Sequence, residues 1–165
     1  MDLRGELVQR AREYAARRGL LIREQLGYGV HGTVLVVESQ GDSWALKVHE
    51  SEAGYARERD VYLRLKALGI QAIRGCHVPE LLRHDDEFRA IEMSIVTRPF
   101  VLDFAGAYLD HQPDFSEEVL ADWQAEKKEQ FGAYWPEVQA ILNFLEGLGI
   151  FMIDVSPNNV SPSVE

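Results

Sequence analysis

The chain has 165 residues, of which 46% are hydrophobic and 27% charged, and its formal net charge at pH 7 is −10. This balance is typical of a globular protein and excludes a largely disordered chain, while the negative charge argues against nucleic-acid binding through a basic surface. A single cysteine, Cys76, excludes an intrachain disulfide, and no apolar run reaches the length of a membrane span. The N-terminal residues also lack the apolar core of a signal peptide, so we expect a cytoplasmic protein that binds neither nucleic acid nor a membrane.

An amphipathic helix is the first predicted element and covers residues 3–18. Asp2 is a candidate N-cap for this helix, and Gly19 is a suitable residue to end it. Three short strands follow, with the sequences LLIREQLG from residue 20, TVLVVES from residue 33 and SWALKVH from residue 43. The turn at residues 40–42 indicates that the second and third strands form a hairpin.

Helical spacing returns over residues 51–68, and two further strands are predicted at residues 79–83 and 88–96. The segment 97–115 contains Pro99, Gly106 and Pro113, so only a short helix between residues 101 and 109 is predicted there.

Two more helices are predicted toward the end of the chain. Ser116 is a candidate N-cap for a helix that reaches about residue 128. A second helix, about residues 134–147, carries apolar residues along one face.

The stretch LGYGVHGTV, residues 26–34, has three glycines with the spacing G-x-G-x-x-G. A dinucleotide-binding turn is excluded because a strand pattern, not a helix, follows the glycines. A Walker-type loop is excluded because Thr33 stands where that motif requires lysine. Two interpretations remain open: an ordinary β-turn, and a glycine hairpin whose backbone N–H groups approach the phosphates of a nucleotide.

Lys47 lies within the apolar run WALKV, and a lysine in a strand that packs against a core needs an anionic partner. Glu58 follows eleven residues later, on or beside the apolar face of the predicted helix. A Lys47–Glu58 pair would direct the ammonium group toward a phosphate.

Together with IDVSPNN at residues 153–159, these segments resemble the protein-kinase-like superfamily over about residues 20–160. The family motifs match at Gly27, Gly29, Gly32 and Val34 for the glycine loop, at Ala45 and Lys47 for A-x-K, at Glu58 for the helix glutamate, and at Asp154 and Asn159 for the catalytic loop. Met152 and Ser156 replace residues common in eukaryotic protein kinases, so the chain is more similar to the atypical RIO-like and small-molecule kinases.

The resemblance implies an α+β, protein-kinase-like fold in three parts. An N-terminal helix covers residues 1–19, and an N-lobe with a five-stranded antiparallel sheet and a C-helix covers residues 20–97. Residues 98–165 would hold the hinge and an incomplete helical C-lobe that ends at the catalytic loop.

The same resemblance implies binding of ATP and Mg²⁺ and assigns a role to each matching residue. The glycines would cover the phosphates, Val34 and Ala45 would contact the adenine, and the segment containing Met93 and Ile95 would be the hinge. Lys47, positioned by Glu58, would bind the α- and β-phosphates. Asp154 would accept the proton of a substrate hydroxyl, and Asn159 would bind Mg²⁺.

The sequence also departs from the family pattern. No aspartate follows Asn159, whereas the D-F-G aspartate of the family binds a metal ion downstream of that asparagine. We therefore expect a phosphotransferase with impaired activity, or alternatively a catalytically inactive pseudokinase that serves as a binding or scaffolding module.

Three further interpretations concern residues outside these motifs. The incomplete C-lobe predicts that helix 134–147 exposes its apolar face, which a second copy or a protein partner would then cover. Asp103, in VLDFA, is interpreted as a helix cap or as a contact to ribose or substrate. The five histidines lack metal-ligand spacing and are interpreted as structural or surface residues.

Overall fold

The computed structural model describes residues 2–29 and 31–163, so Val30 of the glycine stretch lies outside the described residues. The helices are α1 (Leu3–Arg18), α2 (Glu52–Ala67), α3 (Glu117–Phe131) and α4 (Trp135–Gly147), with a 3₁₀ turn at Gly132–Tyr134. The strands are β1 (Leu21–Gly29), β2 (Gly32–Ser39), β3 (Asp42–His49), β4 (Ala72–Ile73), β5 (Cys76–His77), β6 (Leu81–Asp85), β7 (Ala90–Met93), β8 (Phe100–Val101), β9 (Ala107–Leu109), β10 (Ile150–Met152) and β11 (Val160–Ser161). Within these described ranges, no helix is both long enough and apolar enough to cross a membrane.

The protein is α+β, and its largest sheet has five antiparallel strands in the order β1-β2-β3-β7-β6. This confirms the predicted class and the five-stranded antiparallel sheet. Successive side chains of a strand point to opposite faces, so β3 sends Leu46 and Val48 to one core cluster and Ala45 to the other. The first cluster includes residues of α1, and the second includes residues of α2.

Helix α1 covers one face of this sheet and has the predicted bounds. The side chain of Asp2 accepts a hydrogen bond from the backbone N–H of Gly5, which satisfies a donor that the first helical turn leaves free. Gly19 ends the helix in the left-handed conformation, at a φ of 68°. Tyr14 lies on the buried face of α1, and its hydroxyl donates to Glu92 of β7 at 2.7 Å.

Helix α2 covers the other face and forms where helical spacing predicts it. Ser51 is its N-cap and accepts from the backbone N–H of Gly54 at 3.0 Å. The buried side of the helix carries Tyr62 and Leu65 together with Glu58. A carboxylate is thus held inside an otherwise apolar interface, where it needs charged or hydrogen-bonding partners.

The predicted short helix between residues 101 and 109 is wrong. The segment instead contains β8, a turn at residues 105–106, and β9. β8 pairs antiparallel with β11, and β9 pairs antiparallel with β10. These partners lie far along the chain and decide the conformation of a short apolar run whose own sequence fits either helix or strand.

The apolar face of α4 is buried within the chain, which corrects the expectation that this face is exposed. Val138, Ile141 and Leu145 are fully buried in the same core cluster as Val101 and Val160. Helix α4 packs against β10 and α3, so elements of the chain itself provide the cover that was expected from a partner. This face consequently gives no reason to infer a second copy or another protein.

Candidate functional site

Two adjoining cavities open beneath the five-stranded sheet. The first is an apolar slot of about 160 Å³, and the second is a more polar cavity of about 660 Å³ that reaches the loop containing Asp154. Lys47, Leu102 and Asp103 line both cavities and so mark the place where the two meet.

Every site residue predicted from the sequence lines one or both of these cavities. The slot is lined by Val34, Ala45, Lys47, Glu58, Met93 and Ile95, and the polar cavity by Gly27, Gly29, Gly32, Val34, Lys47, Asp154 and Asn159. The structure thus brings together residues that are spread over most of the sequence.

The three glycines of the hairpin have different structural reasons to be glycine. Gly32 has a φ of 150°, and a Cβ at this position would collide with the carbonyl oxygen of Val48 on β3. At Gly27 and Gly29, by contrast, a Cβ would meet nothing within 4 Å. Gly32 is required by the packing of β2 on β3, whereas Gly27 and Gly29 keep a side of the polar cavity open.

We expect Gly32→Ala to lower the free energy of unfolding by about 1–3 kcal/mol, because its Cβ would displace backbone of β3. Gly27→Ala has no such clash and should change stability by less than about 1 kcal/mol. Urea denaturation of the two variants measures the difference. Equal losses of stability in both would contradict this assignment.

Lys47 is held between two carboxylates at the junction of the cavities. Its Nζ lies 2.7 Å from Glu58 Oε1 and 2.8 Å from Asp103 Oδ1, and the residue is 5% exposed. Burial by itself would lower the pKa of Lys47, but the two carboxylate charges raise it above its usual value. The ammonium therefore stays charged, and the predicted Lys47–Glu58 pair is formed.

Glu58 is fully buried, and both of its oxygens have donors. Oε1 lies 2.7 Å from Lys47 Nζ and also 2.7 Å from His49 Nε2, while Oε2 accepts from the backbone N–H of Phe104. Burial alone would raise the pKa of Glu58, but the Lys47 charge and the His49 contact lower it to about 2. Lys47, His49, Glu58 and Asp103 are together named the charged cluster.

Asp103 belongs to this cluster, whereas the sequence predicted a helix cap or a contact to ribose or substrate at this position. It has a φ of 66° and is followed by a turn and β9, so the interpretation as a helix cap is wrong. Next to it, the backbone of Phe104 binds Glu58, and the ring of Phe104 packs edge-on against Tyr62 at 5.3 Å. These two contacts fix the segment on α2 and direct the Asp103 carboxylate at Lys47.

The pairing of β8 with β11 brings Asp103 next to the loop that contains Asp154 and Asn159. Val101 pairs with Val160, and the backbone N–H of Leu102 donates to the carbonyl of Asn159 at 2.9 Å. The sequence signal for this carboxylate is the D-F-A-G run at residues 103–106, directly after a short apolar segment. Order along the chain hides this signal, because the run precedes Asn159 instead of following it.

Asp154 and Asn159 lie at opposite ends of one tight loop. Asn159 Nδ2 donates to the carbonyl of Asp154 at 2.6 Å, and its Oδ1 accepts from the backbone N–H of Ser156 at 2.8 Å. The Asn159 amide thus holds the loop in shape and retains one Oδ1 lone pair for a further ligand. Asp154 Oδ2 lies 2.9 Å from His31 Nε2, a contact that joins the glycine hairpin to this loop.

Within residues 2–29 and 31–163, no group of three or more His, Cys, Asp or Glu side chains is arranged to hold a metal ion by itself. Mg²⁺ does not require such a group, because it commonly binds through one or two protein oxygens together with water and substrate phosphates. Asp103, Asp154 and Asn159 are among the described residues of the polar cavity whose side chains carry such oxygens.

Comparison with known proteins adds no assignment. Neither a protein-family model nor a curated protein matches the sequence of this chain. The functional interpretation therefore depends on the charged cluster, the two cavities and the Asp154 loop.

Proposed function

We propose that this chain is kinase-like: it binds ATP with Mg²⁺ in the two cavities and transfers the γ-phosphoryl group to a hydroxyl acceptor. The observation that carries the proposal is the position of Lys47, held by Glu58 and Asp103 where the apolar slot meets the polar cavity. An ammonium group at such a junction suits a ligand with a flat apolar end and a polyanionic end.

The slot has the character expected of a purine site. Leu26, Val34, Ala45 and Met93 provide its apolar walls, and Ile95 lies on the segment whose backbone would meet the edge of the base. The larger cavity begins at Lys47 and passes beneath Gly27 and Gly29, where backbone N–H groups would approach phosphate oxygens without an intervening Cβ.

Asp103 and Asn159 would hold the metal ion. Their oxygens are of the type that Mg²⁺ prefers, and the β8–β11 pairing keeps the two residues at neighbouring backbone positions. When bound, Mg²⁺ would neutralise phosphate charge that builds up during transfer. Under this proposal, Asp103 would take the place of the carboxylate that the kinase resemblance expects after Asn159, and the lack of an aspartate there would not impair transfer.

Lys47 and Asp154 would perform the two remaining tasks, which are to position the phosphates and to accept the proton of the hydroxyl. Lys47 would bind the α- and β-phosphates and so position the γ-phosphorus. The acceptor oxygen would bond to that phosphorus while its proton passes to Asp154, and the bond to the β–γ bridging oxygen would break to release ADP. His31 contacts Oδ2 of Asp154, and Oδ1 would accept the hydrogen bond from the acceptor hydroxyl.

Thermal unfolding with ATP, with and without Mg²⁺, tests this proposal. At a ligand concentration near 100 times Kd, the melting temperature should rise by about 5–10 °C. Lys47→Ala should abolish the rise, measured against its own unliganded melting temperature, because the phosphates lose their buried cation. Lys128→Ala, at an exposed position of α3, is the matched control and should keep the full rise.

Each outcome separates the candidate functions. Absence of a shift with ATP, GTP or ADP in the unsubstituted protein overturns the nucleotide site. A Mg²⁺-dependent shift with release of ADP supports a phosphotransferase, and the same shift without turnover supports the pseudokinase alternative.

A further inference from the structure

His49 is a fully buried histidine whose two ring nitrogens both contact acceptors. Nε2 lies 2.7 Å from Glu58 Oε1, and Nδ1 lies 3.1 Å from the backbone carbonyl oxygen of Arg89. A carbonyl oxygen and an ionised carboxylate oxygen can only accept hydrogen bonds.

A neutral imidazole carries one N–H and therefore satisfies only one of these contacts. With the proton on Nδ1, a nitrogen lone pair would face Glu58 Oε1 at 2.7 Å, and with the proton on Nε2, a lone pair would face the Arg89 carbonyl. Two lone pairs in contact inside a low-dielectric core are strongly unfavourable. Only the doubly protonated ring donates to both oxygens.

We infer that His49 is held as an imidazolium and is a positioning residue for Lys47: it supplies the second positive charge of the charged cluster and fixes the Glu58 carboxylate. Lys47 and His49 then balance Glu58 and Asp103, and Glu58 Oε1 divides its negative charge between two donors. Lys47 is accordingly less fully neutralised and keeps positive charge for an incoming anion. The consequence for ATP binding rests on the proposed function, whereas the charge state of His49 does not.

Groups from three other elements surround His49. From α2, the Tyr55 ring meets the imidazole edge-on at 5.5 Å, and from α1, the Arg10 guanidinium donates to the backbone carbonyl of His49 at 2.7 Å. Arg89, in the turn between β6 and β7, contacts the ring through its carbonyl. The charges of Lys47, Arg10 and Arg89 oppose a charged imidazole, and the contact with buried Glu58 favours it. The doubly donating hydrogen-bond geometry decides in favour of the imidazolium.

Long-range ¹H–¹⁵N correlation of the histidine side chains tests the charge state in the unsubstituted protein. Both nitrogens of His49 should show protonated signals at pH 7. The signal is assigned from its loss in His49→Gln or, if that variant does not fold, by elimination with alanine variants of His31, His77, His84 and His111. A single protonated nitrogen at pH 7 overturns the inference.

Nucleotide affinity tests the positioning role. His49→Gln keeps an N–H donor for Glu58 but lacks the charge, and should bind ATP about tenfold more weakly. His77→Gln, at an exposed position of β5, should bind ATP normally. In the unsubstituted protein, ATP affinity should fall over the same pH range in which the correlation spectra show His49 losing a proton. Affinity that is unchanged across that range overturns the positioning role. If the protein binds no ATP at all, the proposed function fails, and with it the positioning role, while the spectra still decide the charge of His49.

Discussion

Asp103→Asn is expected to remove the Mg²⁺ dependence of ATP binding and to lower ATP turnover by about 100-fold or more. The amide keeps the size of the side chain and one oxygen, but it lacks the negative charge that pairs with Lys47 and would hold the metal ion. Isothermal titration with ATP, with and without Mg²⁺, measures the first effect, and the rate of ADP release measures the second.

Two matched variants separate this role from neighbouring ones. Asp154→Asn should retain Mg²⁺-dependent ATP binding and lose turnover, because Asp154 is assigned to the acceptor proton and not to the metal. Asp122→Asn, at an exposed position of α3, should leave both quantities unchanged. Mg²⁺-dependent binding of normal strength in Asp103→Asn would show that the metal ion, if bound, is held by other residues.

Sequence reasoning was most successful where the structure is determined locally. Asp2 and Ser116 each cap the helix they were predicted to cap, since a side-chain oxygen satisfies a backbone N–H only three residues away. The Lys47–Glu58 pair was also predictable, because a charged residue in an apolar strand requires a partner on the next packed element.

The missed features depend on contacts between distant parts of the chain. β8 and β11 are two residues long and have no periodicity of their own, so their pairing cannot be recognised locally. That pairing is what brings Asp103 next to the loop that contains Asp154 and Asn159. Order along the chain does not reveal that Asp103 and Asn159 are neighbours in space.

His49 was missed for a related reason. Its spacing fits no metal site, and an alternating strand pattern does not reveal what a buried side chain meets on the opposing helix. Only the register of β3 and the packing of α2 show that Lys47 and His49, two residues apart on one face, reach the same oxygen of Glu58.

Glu58→Gln is expected to lower the free energy of unfolding at pH 7 by about 3–5 kcal/mol, the cost of breaking a buried ion pair from one side. The amide leaves Lys47 without its fully buried counter-charge. It also replaces the Oε1 carboxylate oxygen, which Lys47 and His49 both contact, with a neutral and weaker acceptor. Chemical denaturation measures the loss, and Glu129→Gln, exposed on α3, is the control that should stay within about 0.5 kcal/mol.

The pH dependence of the same variant identifies the cause of that loss. The pKa of Glu58 in the folded protein, about 2, lies below its usual 4.5, so the unfolded chain binds the proton more tightly between these values. The stabilisation from Glu58 is therefore complete above about pH 4.5 and is lost as the pH falls toward 2, and it corresponds to about 3 kcal/mol. The stability difference between the unsubstituted protein and Glu58→Gln should shrink over that acidic range. A difference that is constant from pH 7 to pH 3 would mean that the variant is destabilised by altered packing and not by loss of the charge.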